Sequence, residues 1–210
     1  MDSISICNLA LGMLGMPAIT SLDETNSNAL LCRKFFSTLR DRVLRDHCWS
    51  FATTSHSLSV LAEDGFDPEF PVVCELPTDV IRVLRVVPEM PFQRHGHEIH
   101  VPAAPEKVIY IRRVEDPNLF DTTFVEALQY LLAAEIGMAN TRDAQLIALY
   151  RQEYEKRLAI ARSIDSQENR EAFRPAPPRS RWLAARGASS IPVPRGSVNF
   201  VKGDAGKQGE

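Results

Sequence analysis

Seven prolines fall between residues 68 and 105, at Pro68, Pro71, Pro77, Pro88, Pro91, Pro102 and Pro105. Each removes a backbone donor and clashes with the turn before it, so no long helix survives that density. The same block is rich in Val and Ile. FPVVCELP (70–77), VIRVLRVV (80–87) and KVIYIRRV (107–114) read as strands, with EIHV (98–101) a shorter one. Prolines between them suit edge strands and connections. Gly96 in QRHGHE marks a hairpin turn between Val87 and Ile99. Trp49, Phe51 and Thr53 alternate, so the strand period is expected to begin at 49, and the strand-rich block covers about 49–116.

Helical spacing lies on both sides of that block. Ile6, Leu9, Ala10, Met13 and Leu14 form one apolar stripe, with Asp2 or Ser3 as cap, Gly15 as left-handed exit and Pro17 as stop; this predicts a helix over 3–15. After the turn SLDETNSN, Ala29, Cys32, Phe36, Leu39 and Val43 repeat at alternating spacings of 3 and 4 down a helix over 25–47. Phe35 and Leu44 widen that stripe, and Arg33, Lys34, Arg40, Asp41, Arg42, Arg45 and Asp46 are expected on a wet, mostly basic flank. Beyond Asp116-Pro117, a helix over 121–139 is capped by Asp121 or Thr122. It carries Phe124, Leu128, Leu131, Leu132, Ile136 and Met138, and Val125, Ala127, Ala133 and Ala134 make it apolar nearly all round, as a central core helix would be. A last helix over 142–164, capped by Thr141, carries Leu146, Leu149, Tyr150, Tyr154 and Leu158, with Arg151–Glu155 and Glu153–Arg157 as i, i+4 pairs. The fold class expected is α+β, mainly α: a bundle core of about four helices with a strand-rich insertion and an extended C-terminal arm.

The arm is a change of composition. Residues 166–210 hold 5 Pro and 5 Gly, and their apolar residues, among them Phe173, Trp182, Leu183 and Phe200, follow no period. Such a stretch builds no core of its own, yet plain linkers seldom carry Trp, so it is read as an arm that orders on a partner. Its charge differs too: 8 Lys/Arg against 4 Asp/Glu, where the body over 1–165 has 16 against 23. A basic arm on an acidic body suits docking on something acidic.

In the whole chain 44% of residues are hydrophobic and 24% charged, which excludes wholesale disorder. No apolar run approaches the ~20 residues a membrane helix needs. The N-terminus lacks a basic segment and carries Asp2, so a secretory signal is not expected. Cys7, Cys32, Cys48 and Cys74 have no CxxC spacing and read as free thiols of a reducing compartment.

Motifs of catalysis are missing: no phosphate loop, GxGxxG, GxSxG or HExxH occurs. His95, His97 and His100 have partial metal-ligand spacing, but they flank a turn glycine and lack an obvious completing carboxylate or cysteine. His47-Cys48 are adjacent and point apart at a helix end. Glu63 with Asp64, or Glu115 with Asp116, could serve as the carboxylate pair of a glycan hydrolase, but they sit in acidic, loop-like segments. Sequence-specific DNA binding finds no recognition helix. Arg174, Arg179, Arg181, Arg186 and Arg195 could touch phosphates or carboxylates, and Trp182-Leu183 among them suits a protein interface better. No catalytic site, cofactor or metal is expected.

An ordered set of short motifs then resembles tail tubular protein A, the head–tail adaptor family of short-tailed bacteriophages. An opening helix of Asn-x-Ala-Leu-x-x-Leu-Gly type is matched by Asn8, Ala10, Leu11, Leu14 and Gly15, and an Ile-x-Ser-Leu-Asp turn by Ile19, Ser21, Leu22 and Asp23. The second helix ends in Arg40, Asp41, Leu44, His47, Trp49, Phe51 and Ala52, with Cys48 where the family often has Pro. Leu76, Pro77, Asp79, Arg82 and Val83 follow, then Arg113, Val114, Asp116, Pro117, Phe120 and Asp121. The resemblance covers roughly residues 4–170.

That resemblance implies a structural virion protein without a catalytic site, made in the bacterial host cytoplasm and placed at the head–tail interface of the virion tail. It implies a ring of twelve copies between the portal protein and the tail nozzle (tail tubular protein B), with tail fibres as possible neighbours. The ring extends the channel through which phage DNA passes without sequence-specific binding, and no membrane is involved. C-terminal arms of the family grip the portal; here Phe173, Arg174, Arg179, Arg181, Trp182 and Leu183 are the candidate grip. A ring contact needs two different faces on each copy, and Arg40, Arg42 and Arg45 are the candidates for one of them. The alternative is a tail-associated hydrolase degrading envelope glycan or peptidoglycan.

Overall fold

The computed structural model describes residues 1–63, 65–140 and 143–172, all within one unit, Met1–Ala172. Helices α1 (Ser3–Met13) and α2 (Ser27–Asp46) precede seven strands, β1 (Thr53–Ser57), β2 (Val60–Ala62), β3 (Val72–Glu75), β4 (Val80–Val87), β5 (Gln93–His95), β6 (Glu98–Val101) and β7 (Lys107–Arg112). Helices α3 (Thr122–Asn140) and α4 (Ala144–Ala172) follow. The α+β, mainly α class holds, with four helices and two small antiparallel sheets among the described residues.

Helix ends are set by side chains. Asp2 caps α1 by accepting from the Ser5 N–H at 2.9 Å, Asn26 caps α2 by accepting from Ala29 at 2.8 Å, and Asp121 accepts from the Thr123 N–H at 2.7 Å. At the exit of α1 the Gly15 N–H donates to the Gly12 carbonyl and the Met16 N–H to the Leu11 carbonyl, with Gly15 at φ 67°. This is a Schellman ending, and it closes α1 two residues before the expected end. The cap of α4 is Asp143, which accepts from the N–H groups of Gln145 and Leu146; Thr141 lies outside the described residues.

The molecule is layered. Helix α3 packs against α1, α2 and α4 and buries Phe124, Leu128, Leu131, Leu132 and Ile136 together with Ala127, Ala133 and Ala134, so it is the central helix its composition predicts. Each such large apolar side chain contributes ~1.5–3 kcal/mol on leaving water. One sheet has the order β1-β7-β4, the other β2-β3-β6-β5. Alternation along β7 explains how they stack: Val108 and Tyr110 join a core between the two sheets, while Ile111 turns to the helices. Register irregularities in β4 between Val80 and Arg82 and between Val83 and Arg85 let Ile81 and Leu84 face the helices too. The inter-sheet core is completed by Val72, Cys74, Leu76, Val86, Ile99 and Val101.

Several expectations are corrected. The α1 stripe is rotated: Cys7 and Leu11 are buried with Ile6 and Ala10, whereas Leu9 is 43% exposed. An apolar helix offers more than one stripe, and packing on α3 chose this one. Trp49 and Phe51 do not begin a strand; Ser50–Ala52 is a 3-10 turn that tucks Trp49 wholly inside. Arg40 leaves the wet flank and is only 6% exposed. Met138 and Leu149 are exposed rather than core. Arg151 and Arg157 reach across to Glu135 (3.4 Å) and Glu126 (3.0 Å) of α3 instead of pairing along α4, and Glu153 meets Lys156 at 2.7 Å. Residues 166–172, given to the arm by composition, continue α4.

Candidate functional site

The motif residues converge on the exit of α2. Helix carbonyls at a C-terminus lack intrahelical partners, and here two arginines donate to them: Arg82 Nη1 to the Arg45 carbonyl (3.4 Å) and Arg162 Nη2 to the Asp46 carbonyl (3.2 Å). Both cations also face the negative end of the helix dipole. The Asp46 carboxylate accepts from Tyr154 Oη at 3.1 Å; burial, then the Asp46 charge, pushes that hydroxyl's pKa up. Past the helix end, His47 Nε2 lies 2.9 Å from Asp165 Oδ2, and the other Asp165 oxygen accepts from the N–H (2.9 Å) and Oγ (2.6 Å) of Ser50. Asp165 is 8% exposed, so α4 clamps the α2 exit through one nearly buried carboxylate.

Trp49 is the centre of the joint. Its Nε1 donates to the Val43 carbonyl at 2.9 Å, which satisfies the one polar atom of an otherwise buried indole. Phe124 meets it edge-on at 5.1 Å, and Phe51 and Phe120 extend the aromatic cluster. On the sheet side Asp41 receives Arg40 (2.8 Å) and Arg113 (2.9 Å), and the Arg113 N–H donates to the Asp79 carbonyl. Asp79 Oδ1 also accepts from Tyr110 Oη at 3.1 Å; burial, then the neighbouring Asp79 charge, holds that hydroxyl's pKa up to about 12. From the middle of α1, Asn8 exchanges two hydrogen bonds of 2.8 Å with the backbone of Ile19. Asn8, Ile19, Asp41, His47, Trp49, Asp79, Arg82 and Arg113 therefore fasten one segment to another, while Arg40 pairs within α2 and Asp121 caps α3.

A second feature is electrostatic. Arg94 Nη1 (3.0 Å) and Arg45 Nη1 (3.5 Å) both donate to the Ile81 carbonyl, and Arg94 Nη2 reaches the Val80 carbonyl at 3.2 Å. Burial, then the Arg45 charge, lowers the Arg94 pKa. Among the described residues Arg45, Arg82 and Arg94 have no carboxylate within ion-pair distance. The structure thus separates the three arginines expected on one face: Arg40 is buried against Asp41, Arg42 is exposed, and Arg45 joins Arg82 and Arg94. Nothing in the sequence pattern paired Arg45 with the strands, because β4 and β5 lie 35 or more residues away.

The remaining candidates are placed separately from this joint. Glu63 and Glu115 are exposed, Asp116 caps a short turn by accepting from Asn118, and Asp64 lies outside the described residues. His95 and His100 stack edge-on at 4.8 Å beneath Phe66, with His95 beside Gln93 and His100 3.7 Å from Glu98. Among the described residues no group of three or more His, Cys, Asp or Glu side chains could hold a metal ion, and no helix is long and apolar enough to cross a membrane. Phe173, Arg174, Arg179, Arg181, Trp182 and Leu183 lie outside the described residues. No protein-family model and no curated protein matches the chain.

Proposed function

We propose that this chain is a structural head–tail adaptor of a short-tailed phage, a ring between portal and tail nozzle that extends the DNA channel and grips the portal by its C-terminal segment. The observation that carries the reading is the use made of the motif residues. The residues that carry the resemblance to tail tubular protein A, His47, Trp49, Arg82, Asp41 and Arg113 among them, are spent on fastening α2 and its exit to α4 and to the sheet side of the molecule. A protein that transmits load between two assemblies needs such joints more than it needs a cleft. The acidic balance of the body also suits a channel wall along which a polyanion must slide.

Grip by the arm is tested by co-sedimentation with the portal ring of the same phage. The whole chain is expected to sediment with the ring. A chain ending at Ala172, the last described residue, is expected to remain in the supernatant, and Trp182→Ala with Leu183→Ala to weaken attachment, since aromatic anchors dominate many interfaces. Undiminished binding of the shortened chain would contradict the grip.

A further inference from the structure

Three arginines sit at the seam between α2, β4 and β5, and two of them share one acceptor. Arg45 and Arg94 both donate to the carbonyl of Ile81, and Arg82 donates to the carbonyl of Arg45. Like charges held together this way repel, and among the described residues no carboxylate lies within ion-pair distance of them. Carbonyl oxygens occupy some of the guanidinium donors, but they bring no countercharge. All three side chains are exposed, so an outside carboxylate can reach them.

The complement lies on the chain's own far side. In β5, Arg94 pairs with Ile99 and so shares the inner face of its sheet, while Gln93 pairs with His100 on the outer face. The loop before β3 covers that outer face. It is built rather than loose: the Gly65 N–H donates to the Pro71 carbonyl, the Phe70 N–H to the Asp67 carbonyl, and Gln93 Nε2 to Asp67 Oδ2 at 3.0 Å. A Cβ on Gly65 would stand 2.7 Å from the Phe70 carbonyl oxygen, so the loop closes tightly there. Asp67 is spent on this closure, but Glu63 and Glu69 are exposed, and Phe66 between them is 72% exposed.

We propose that the Arg45–Arg82–Arg94 cluster of one copy receives the Glu63–Phe66–Glu69 loop of the next, a head-to-tail contact. It deepens the ring reading above and rests on it for its closed geometry. Basic and acidic features on opposite faces of a sheet cannot satisfy each other within a copy, but they can between copies, and unlike faces generate rings. An aromatic side chain flanked by carboxylates facing arginines has the composition of an interface centre. A nucleic acid is disfavoured as occupant because the surrounding body is acidic.

The test is charge exchange, read by sedimentation velocity at low ionic strength. The wild-type chain is expected to self-associate, and salt to weaken it. Arg45→Glu with Arg82→Glu, and separately Glu63→Arg with Glu69→Arg, should each weaken association at least about tenfold. An equimolar mixture of the two variants should associate again, since each then offers what the other lacks. Circular dichroism checks folding, and the loop variant, wholly on the surface, keeps the test sound if Arg82→Glu frees the end of α2. A monomeric wild type, undiminished association of the loop variant, or a mixture of folded variants that stays apart would overturn the contact. Failure of the adaptor reading looks different: the wild-type chain would associate in solution yet leave the portal bare.

Discussion

Asp165 offers the most exacting check on the α2 joint. Replacing it with Ala removes the acceptor of the Ser50 N–H and Oγ and the partner of His47, all bonds of 2.6–2.9 Å. A hydrogen bond to a charged group contributes ~1.5–3 kcal/mol net. Ser50 is exposed and can turn to water, so part of that loss is recovered, and about 3 kcal/mol is expected for the substitution. For a body of this size each kcal/mol moves the midpoint by ~2–4 °C, which gives a fall of roughly 6–12 °C. Asp165→Asn keeps one carbonyl acceptor and should lose about half as much. Glu168→Ala, exposed one turn further along α4, should change stability by no more than ~0.5 kcal/mol. Thermal unfolding followed by far-ultraviolet circular dichroism reads all three. If Asp165→Ala melts within about 2 °C of Glu168→Ala, α4 does not clamp the α2 exit and the joint is misassigned.

Other consequences can be measured on the same protein. Trp49→Ala should lower stability in urea by ~3–5 kcal/mol, because it empties a fully buried site and frees the Val43 carbonyl, whereas an exposed change such as Leu61→Ala should cost far less. Tyr110 has its pKa raised in the folded protein above the unfolded value of ~10, so its contribution is whole below that pH and is lost as pH rises toward about 12; the slope of urea midpoints over this interval should flatten in Tyr110→Phe. Of the four thiols, Cys48 is exposed while Cys7, Cys32 and Cys74 are buried, and the Cys32 contact, then burial, pushes the Cys7 thiol's pKa up. An aromatic disulfide reagent should therefore titrate one thiol in the native protein and four in denaturant; fast native reaction of Cys7 or Cys32 would contradict the packing of α1 on α2, and fast reaction of Cys74 would contradict the inter-sheet core.

Much of the helical layer was legible because its signals are local. Asp2, Gly15 and Asp121 act within a turn of their own positions, and α3 declares itself by alanines and leucines on most of its circumference. Arg40 was misplaced although the spacing held the clue: it lies four residues after Phe36 and three before Val43, both core, so its side chain had to turn inward and find Asp41. Strands β1 (TTSHS) and β5 (QRH) were missed for want of apolar alternation; both lie at sheet edges, where backbone pairing rather than side-chain burial defines them. The α2 joint was invisible for another reason. His47 and Asp165 are 118 residues apart, and Arg45 and Ile81 are 36 apart, so no spacing rule connects them. Helix α4 ran past its expected end because Asp165 is drawn in by Ser50 and His47, which composition alone does not register.

The adaptor reading is tested most directly by negative-stain electron microscopy of this chain mixed with the portal ring of its own phage. The expected result is an added annular layer on one face of the portal, present with the whole chain and lost when the chain ends at Ala172. Portal rings that remain bare with the whole chain would contradict the adaptor role itself.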